Sequence, residues 1–193
     1  NNFSKSLWRY KEIENPPNRF LADPFIFESK GSTIIFAEDF HYSDAKGRIS
    51  AIQVKENEYK FLGVVLEEEF HLSFPYVFEC DGDIFMVPES HKNKDIRLYK
   101  CIEFPTKWTL EKTLMQNVSA GDTMLIKKDN YWFMLTNISS TKFDDHQSEL
   151  HVFYTESLFS GDWKEIEKGN PVIFDSLSGR NGGLFKDDKN IYR

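Results

Sequence analysis

The sequence predicts an all-β fold, a β-propeller built from four-stranded antiparallel blades. Three observations predict it. A hairpin-like phrase occurs in four copies spaced about fifty residues apart, which marks a repeat architecture. Two further strand candidates follow each of the first three copies, giving four strands per repeat, the content of one propeller blade. No stretch sustains an i, i+3, i+4 apolar pattern over three turns, so no helix is expected.

The first copy is DPFIFESKGSTIIFAED at 23–39 and the second is FPYVFECDGDIFMVPES at 74–90. Each has a β-rich run, a turn containing glycine and a second β-rich run, the pattern of a hairpin. An offset of 51 matches Pro24 with Pro75, Phe27 with Phe78, Gly31 with Gly82 and Glu38 with Glu89. A further offset of 48 reaches DTMLIKKDNYWFMLTN at 122–137, where Asp129-Asn130 takes the turn and Asn137 the place of Glu89. Another 59 residues lead to NGGLFKDDKNIYR at 181–193, with Asp187-Asp188 beside the turn. The added strands are RISAIQV and YKFLGVVLEE in the first repeat, IRLYKCIEF and WTLEKTLM in the second, and ELHVFYTES and DWKEIEK in the third.

One domain over 1–193 is expected, with blade 1 at about 20–67, blade 2 at about 71–115, blade 3 at about 119–168 and blade 4 beginning at about 180. Trp108 and Trp163 open the outer strands, and the sequence around Trp8 has the same look. Residues 7–15 are therefore expected to be the outermost strand of the last blade, closing the ring. Three blades and one hairpin close no ring. The expected whole is a five-bladed propeller, incomplete in this chain, with its C-terminal part missing.

Composition narrows the function classes. A formal charge of −7 argues against a nucleic-acid backbone as partner, which needs a basic face. No apolar run reaches the length of a membrane span. Aromatic residues at 16% suit packed sheets and also sugar-facing surfaces. Cys80 and Cys101 make no disulfide framework, so buried thiols and a cytoplasmic setting are expected. His41, His91, His146 and His151 lie far apart in sequence without zinc-site spacing, and no metal or other cofactor is expected. SGRNGG has no following helix and no Lys-Ser/Thr, so it is no phosphate loop. The sequons at Asn117 and Asn137 matter only in a secretory compartment.

A blade's first strand runs closest to the propeller axis, so positions at its start ring one end of the central cavity. Those positions are Asp23, Phe74, Asp122 and Asn181. Packing needs no carboxylate there, and a pair of them costs desolvation unless partnered or used. Asp23 before Pro24 equally suits the start of a turn. A second ring, Glu38, Glu89 and Asn137, closes the second strands; Glu38 also reads as an ordinary surface glutamate. His71, just before the second blade, either binds a ligand hydroxyl or bonds the backbone. Arg180 either offers a bidentate fork to a ligand or is an exposed loop arginine.

The phrases FLADPFIFE, HLSFPYVFECDGDIFMVPES, YKCIEFPTKW, SAGDTMLI and NPVIFDSLSGRNGGLF, in this order, resemble the propeller domain at the N-terminus of plant glucosamine inositolphosphorylceramide transferases. Similar bacterial domains stand alone or accompany formyltransferase-like modules. More distantly the chain resembles the five-bladed glycosidases of glycoside hydrolase family 43 and its relatives, the arabinanases, xylosidases and invertases. That second resemblance implies Asp23 as general base and Asp122 as the aspartate that tunes the acid. It also implies a glutamate acid opening the next blade, where this sequence has Asn181. An amide cannot protonate a leaving group, so the two-carboxylate mechanism lacks its acid unless Glu89 replaces it.

The expected function is a non-hydrolytic, carbohydrate-recognising module serving a sugar-modifying or glycosyl-transfer system, with an attached or separate transferase domain. His71, Phe74, Arg180, Asn181 and Glu38 are its expected ligand contacts. The alternatives are an inverting glycosidase using Asp23 and Glu89, assisted by Asp122, and a protein-interaction propeller.

Overall fold

The computed structural model describes residues 11–56, 58–140, 145–186 and 190–193. Three antiparallel sheets follow one another along the chain, each with its strands in sequence order. Blade 1 holds β1 (Arg19–Ser29), β2 (Ser32–His41), β3 (Lys46–Lys55) and β4 (Glu58–Leu66). Blade 2 holds β5 (Ser73–Cys80), β6 (Asp83–Glu89), β7 (Asp95–Glu103) and β8 (Lys107–Gln116). Blade 3 holds β9 (Ala120–Lys128), β10 (Tyr131–Ile138), β11 (Glu149–Thr155) and β12 (Lys164–Glu165), with β13 (Ile173–Phe174) also paired to β11. A fourth hairpin, β14 (Phe185–Lys186) with β15 (Ile191–Tyr192), begins the next repeat. This is an incomplete propeller. Among the described residues the one helical turn is a 3₁₀ turn at His91–Asn93, and no helix is long and apolar enough to cross a membrane.

Strand alternation assigns each sheet face to a neighbour. In blade 1, Ile34, Phe36, Ile49 and Ala51 pack with Met86 and Tyr99 of blade 2. The other face of blade 2, with Phe85, Val87, Ile96 and Leu98, meets Leu125, Trp132, Met134 and Phe153 of blade 3. Met86 and Phe85 thus serve opposite cores one residue apart. Phe36 has no exposure at all and lies edge-on to Trp108 at 5.6 Å between ring centroids. Truncating it to alanine would cost about 3–5 kcal/mol.

The outer strand expected at 162–168 is short, and its ladder is shared. β12 pairs with Phe153 and Tyr154, whereas β13 pairs with Glu149 and Leu150. Between them the side chain of Asn170 accepts the Val152 N–H at 2.8 Å and donates to the Val152 carbonyl at 3.2 Å. An amide side chain mimics the missing strand residue, which satisfies buried backbone groups without a continuous outer strand.

Cys80 is buried and Cys101 half-buried, both as free thiols. The closing strand expected at 7–15 falls partly outside the described residues. Of it, residues 11–15 form no strand and lie against blade 1: Glu14 N–H donates to the Tyr59 hydroxyl, and the Asn15 side chain accepts the Leu21 N–H. The turn expected at Asp187-Asp188 lies outside the described residues.

Candidate functional site

The inner strands β1, β5 and β9 each open on a register slip: between Ala22 and Phe25, between Ser73 and Tyr76, and in β9 opposite Leu135–Asn137. At each slip one residue is left-handed: Asp23 at φ 44°, Phe74 at 43° and Asp122 at 49°. Three non-glycine residues at repeat-equivalent positions therefore carry the same backbone strain. Aspartate tolerates this region better than phenylalanine, and the bulge re-aims the side chain it carries. Strain of this kind persists where the surrounding structure over-determines it.

The bulges bring the predicted carboxylates together. Burial raises the pKa of Asp23, helped by the negative charges of Glu38 and Glu89; Arg180 and the N–H of Phe74, which donates to the carboxylate, oppose the rise. Asp122 is 1% exposed, and burial pushes its carboxyl up to about 6. The charges of Glu89 and Asp23 act in the same direction, and Arg180 acts against them. Arg180 Nε lies 2.6 Å from Asp122 Oδ2, while Asp122 Oδ1 is buried with no hydrogen-bond partner. Arg180 is itself half exposed, so one end of the pair faces outward.

Glu89 sits differently. Its Oε1 lies 2.6 Å from His91 Nδ1, and its Oε2 accepts the Asp122 N–H at 3.0 Å. Burial alone would raise it, but the hydrogen bond and charge of His91 and the Asp122 N–H outweigh burial and hold it below the ordinary carboxylate range. Both oxygens are engaged, Oε1 within blade 2 and Oε2 across the seam to blade 3. Asn137 repeats this one blade later: its Oδ1 accepts the Asn181 N–H at 2.9 Å, and its amide donates to the carbonyls of Glu149 and Gly179. At the seam between blades 1 and 2 the pattern changes. There Asp23 takes the Phe74 N–H, and Glu38 instead faces His71 Nε2 at 3.3 Å.

Several expected contacts are placed elsewhere. The Asn181 amide donates to the carbonyls of Asp122 and Leu135, at 2.7 and 3.1 Å, so it staples blade 3 to the following hairpin and has no N–H left for a ligand. Phe74 is 4% exposed and packs edge-on to Phe25 at 4.8 Å, so its ring belongs to the core and offers no face to a sugar. His71 Nδ1 accepts the Gly47 N–H at 3.0 Å, which leaves Nε2 to carry the proton toward Glu38. It bonds the backbone and faces the cluster at once. The charges of Glu38 and Arg180 both act on Asp23, the first raising and the second lowering its pKa. Asn137 is fully buried, so its sequon is closed to modification in the folded domain.

Sequence spacing hid the histidines. His71, His91 and His146 are distant in the chain, yet His91 lies 6.4 Å from His71 and 5.3 Å from His146, ring to ring. His146 also meets the Ser119 hydroxyl at 3.0 Å. His41 and His151 are elsewhere, paired with Asp39 and Glu149. Among the described residues no three His, Cys, Asp or Glu side chains are grouped to hold a metal ion. An apolar cleft of about 400 Å³, lined by Ile13, Pro24, Ile26 and Ile35 among others, lies on the face of blade 1 that turns away from blade 2.

Comparison with solved structures gives the same fold. A β-1,3-galactosidase of glycoside hydrolase family 43 superposes with a TM-score of 0.72 at 11% identity, covering 92% of this chain and 40% of that one. The α-L-arabinanase of Cellvibrio cellulosa, solved with arabinohexaose, gives 0.62 at 13% identity, covering 89% of this chain and 67% of that one. At such identities the likeness is one of fold. Sequence relatives are nearer. The glucosamine inositolphosphorylceramide transferase 1 of Oryza sativa subsp. japonica is 35% identical over 182 residues, and that of Arabidopsis thaliana 34% over 183, each covering 92% of this chain. The chain spans about a quarter of the length of these curated relatives, 24% and 23%. The family model described as glucosamine inositolphosphorylceramide transferase 1, N-terminal, matches residues 10–193, and the chain belongs to that family.

Proposed function

We propose that this domain recognises a carbohydrate at its axial site without hydrolysing it, as a five-bladed module of a glycosyl-transfer or other sugar-modifying system. The observation that carries the reading is how the axial carboxylates are engaged. Glu89 has both oxygens occupied and is held ionised, so it is a poor proton donor. Asp122 keeps one buried oxygen unpartnered beside Asp23 and the half-exposed Arg180. A pair of carboxylates with a guanidinium fork suits the paired hydroxyls of a sugar. Hydrolysis needs a proton delivered to the leaving oxygen, help worth about 10²–10⁴-fold. Asn181 cannot deliver it, and its amide is already bonded to two backbone carbonyls.

Family membership supports a partner of the glycosyl-transfer type, and the free thiols fit a cytoplasmic setting. The test uses the full-length protein and three series of sugars, each from one to four units: β-1,3-galactan, arabinan and xylan fragments. Binding that weakens in Asp23→Asn and Asp122→Asn, with no turnover of any series, is the expected result. Turnover abolished by both Asp23→Ala and Glu89→Gln would overturn the reading.

A further inference from the structure

A belt of aromatic and imidazole rings runs outward from the axial site over blade 1. His71 bridges the two regions: its Nε2 lies 3.3 Å from Glu38 Oε1, and its ring lies 5.9 Å from Phe40. Phe40 stacks on Phe20 at 5.0 Å with 21° between the planes. Tyr42 completes the belt, 6.0 Å from Phe20 and 6.2 Å from Phe40.

The sequence builds this arrangement simply. Phe20 and Phe40 are directly opposed across β1 and β2. Glu38 precedes Phe40 by two residues on the same strand, so both side chains leave the same face, about 7 Å apart along the strand. Tyr42 begins the turn that joins β2 to β3, and its N–H donates to the Asn18 carbonyl at 3.1 Å. Its backbone is fixed, two rings support it, and it is nevertheless 60% exposed. Neither core cluster includes Phe20, Phe40 or Tyr42. Large rings held in place outside the core offer a preformed apolar surface at little ordering cost.

We infer that the axial cluster and this belt together take an oligosaccharide of two or more units. Its terminal unit enters among Asp23, Asp122 and Arg180, and the following units lay their C–H faces on Tyr42 and the Phe20–Phe40 pair. Glu38 and His71 stand between the two subsites. The inference rests on the axial reading above and adds the length of the ligand and the direction in which it leaves the axis. A sugar suits this surface because each unit offers an apolar face for the rings and hydroxyls for the carboxylates next to them.

The experiment measures Kd against chain length for the three sugar series, with the full-length protein and its Tyr42→Ala, Tyr42→Phe, Asp23→Asn and Asp122→Asn variants. In the unmodified protein, affinity should rise by about five- to tenfold between one unit and three as a ring face is covered. Tyr42→Ala should remove that rise and leave single-unit binding unchanged, and Tyr42→Phe should keep it. A flat dependence on length, or a rise that survives Tyr42→Ala, overturns the inference alone if the two aspartate variants still weaken binding. If no series binds, or if the aspartate variants bind every series normally, the axial reading falls and this inference falls with it.

Discussion

Glu89 accepts the backbone N–H of Asp122 at 3.0 Å, and in doing so ties the end of β6 to the bulge that opens β9. The same oxygen lies in the path of any side chain at Gly121: a Cβ there would come within 2.9 Å of it. Glu89 is therefore a built-in joint between blades. Removing it strands a buried N–H and the His91 imidazole, a loss of about 2–4 kcal/mol for Glu89→Ala. Glu89→Gln keeps an acceptor and should cost about half as much or less. Urea unfolding of the two variants checks the order, and equal losses would deny the joint its hydrogen-bonding role.

Asn137 makes the corresponding joint one blade later, with three hydrogen bonds and no exposure. Asn137→Leu would strand the Asn181 N–H and remove the side-chain donor from the carbonyls of Glu149 and Gly179, of which Gly179 keeps its bond from Arg193. Each stranded group costs about 1–3 kcal/mol. The segment from Gly179 onward should loosen before the rest of the domain does. Hydrogen exchange at the Asn181 amide reads this directly, and unchanged protection there would contradict it.

The titration of Asp122 gives a prediction with a definite sign. Its folded value of about 6 lies above the ordinary aspartate value of 3.8, so the folded protein holds this proton more tightly than the unfolded chain. Its contribution to stability is complete below 3.8 and is lost as pH rises through about 6, roughly 3 kcal/mol at the outside. Asp122→Asn cannot titrate. The stability of the variant relative to the unmodified protein should therefore improve between about pH 4 and pH 7. Denaturant midpoints at several pH values test this, and a difference that stays constant with pH would refute it.

Much of this was legible in the sequence, and the exceptions have physical reasons. The repeat of hairpins placed the inner strands well, because a half-buried strand writes a period of two and Gly31 and Gly82 mark its turns. The outer strand of blade 3 was not legible as built, because the Asn170 side chain stands in for backbone. The equivalent positions of Asp23 and Asp122, both at left-handed bulges, followed from symmetry alone. The role of Phe74 did not: the repeat gives its position, but whether a ring at a bulge faces solvent or Phe25 depends on the neighbouring blade. The clustering of His71, His91 and His146 was likewise hidden, since it comes from loops that meet across blade seams. The repeat gives the position of Asn181 and suggests a ligand contact, and only its two carbonyl partners reveal a staple.

That staple sets the outcome of the most direct attempt to turn the domain into a hydrolase. Asn181→Glu restores the residue type that the glycosidase pattern carries at this point of the repeat. The side chain at 181, however, is 3% exposed and aimed at the carbonyls of Asp122 and Leu135. A carboxylate there has no hydrogen to donate and would face two carbonyl oxygens. Asn137 Oδ1 would still hold the backbone N–H, so the new carboxylate would stay near the carbonyls that repel it. The Arg193 guanidinium, which donates to Asn181 Oδ1 at 3.1 Å, would pair with one carboxylate oxygen, but the other would replace the amide donor facing the two carbonyls, a buried clash that costs energy unless the group takes up a proton. A proton held in this way bonds to a backbone carbonyl and does not reach a leaving group. Asn181→Glu should therefore lower thermal stability, by about 1–3 kcal/mol for the carbonyls left without a donor, and yield no hydrolysis of aryl glycosides above background. Asn181→Gln, which keeps the amide donors, should be the milder change. Measurable turnover in Asn181→Glu that disappears in Asn181→Glu combined with Asp23→Ala would show that this position reaches the substrate after all.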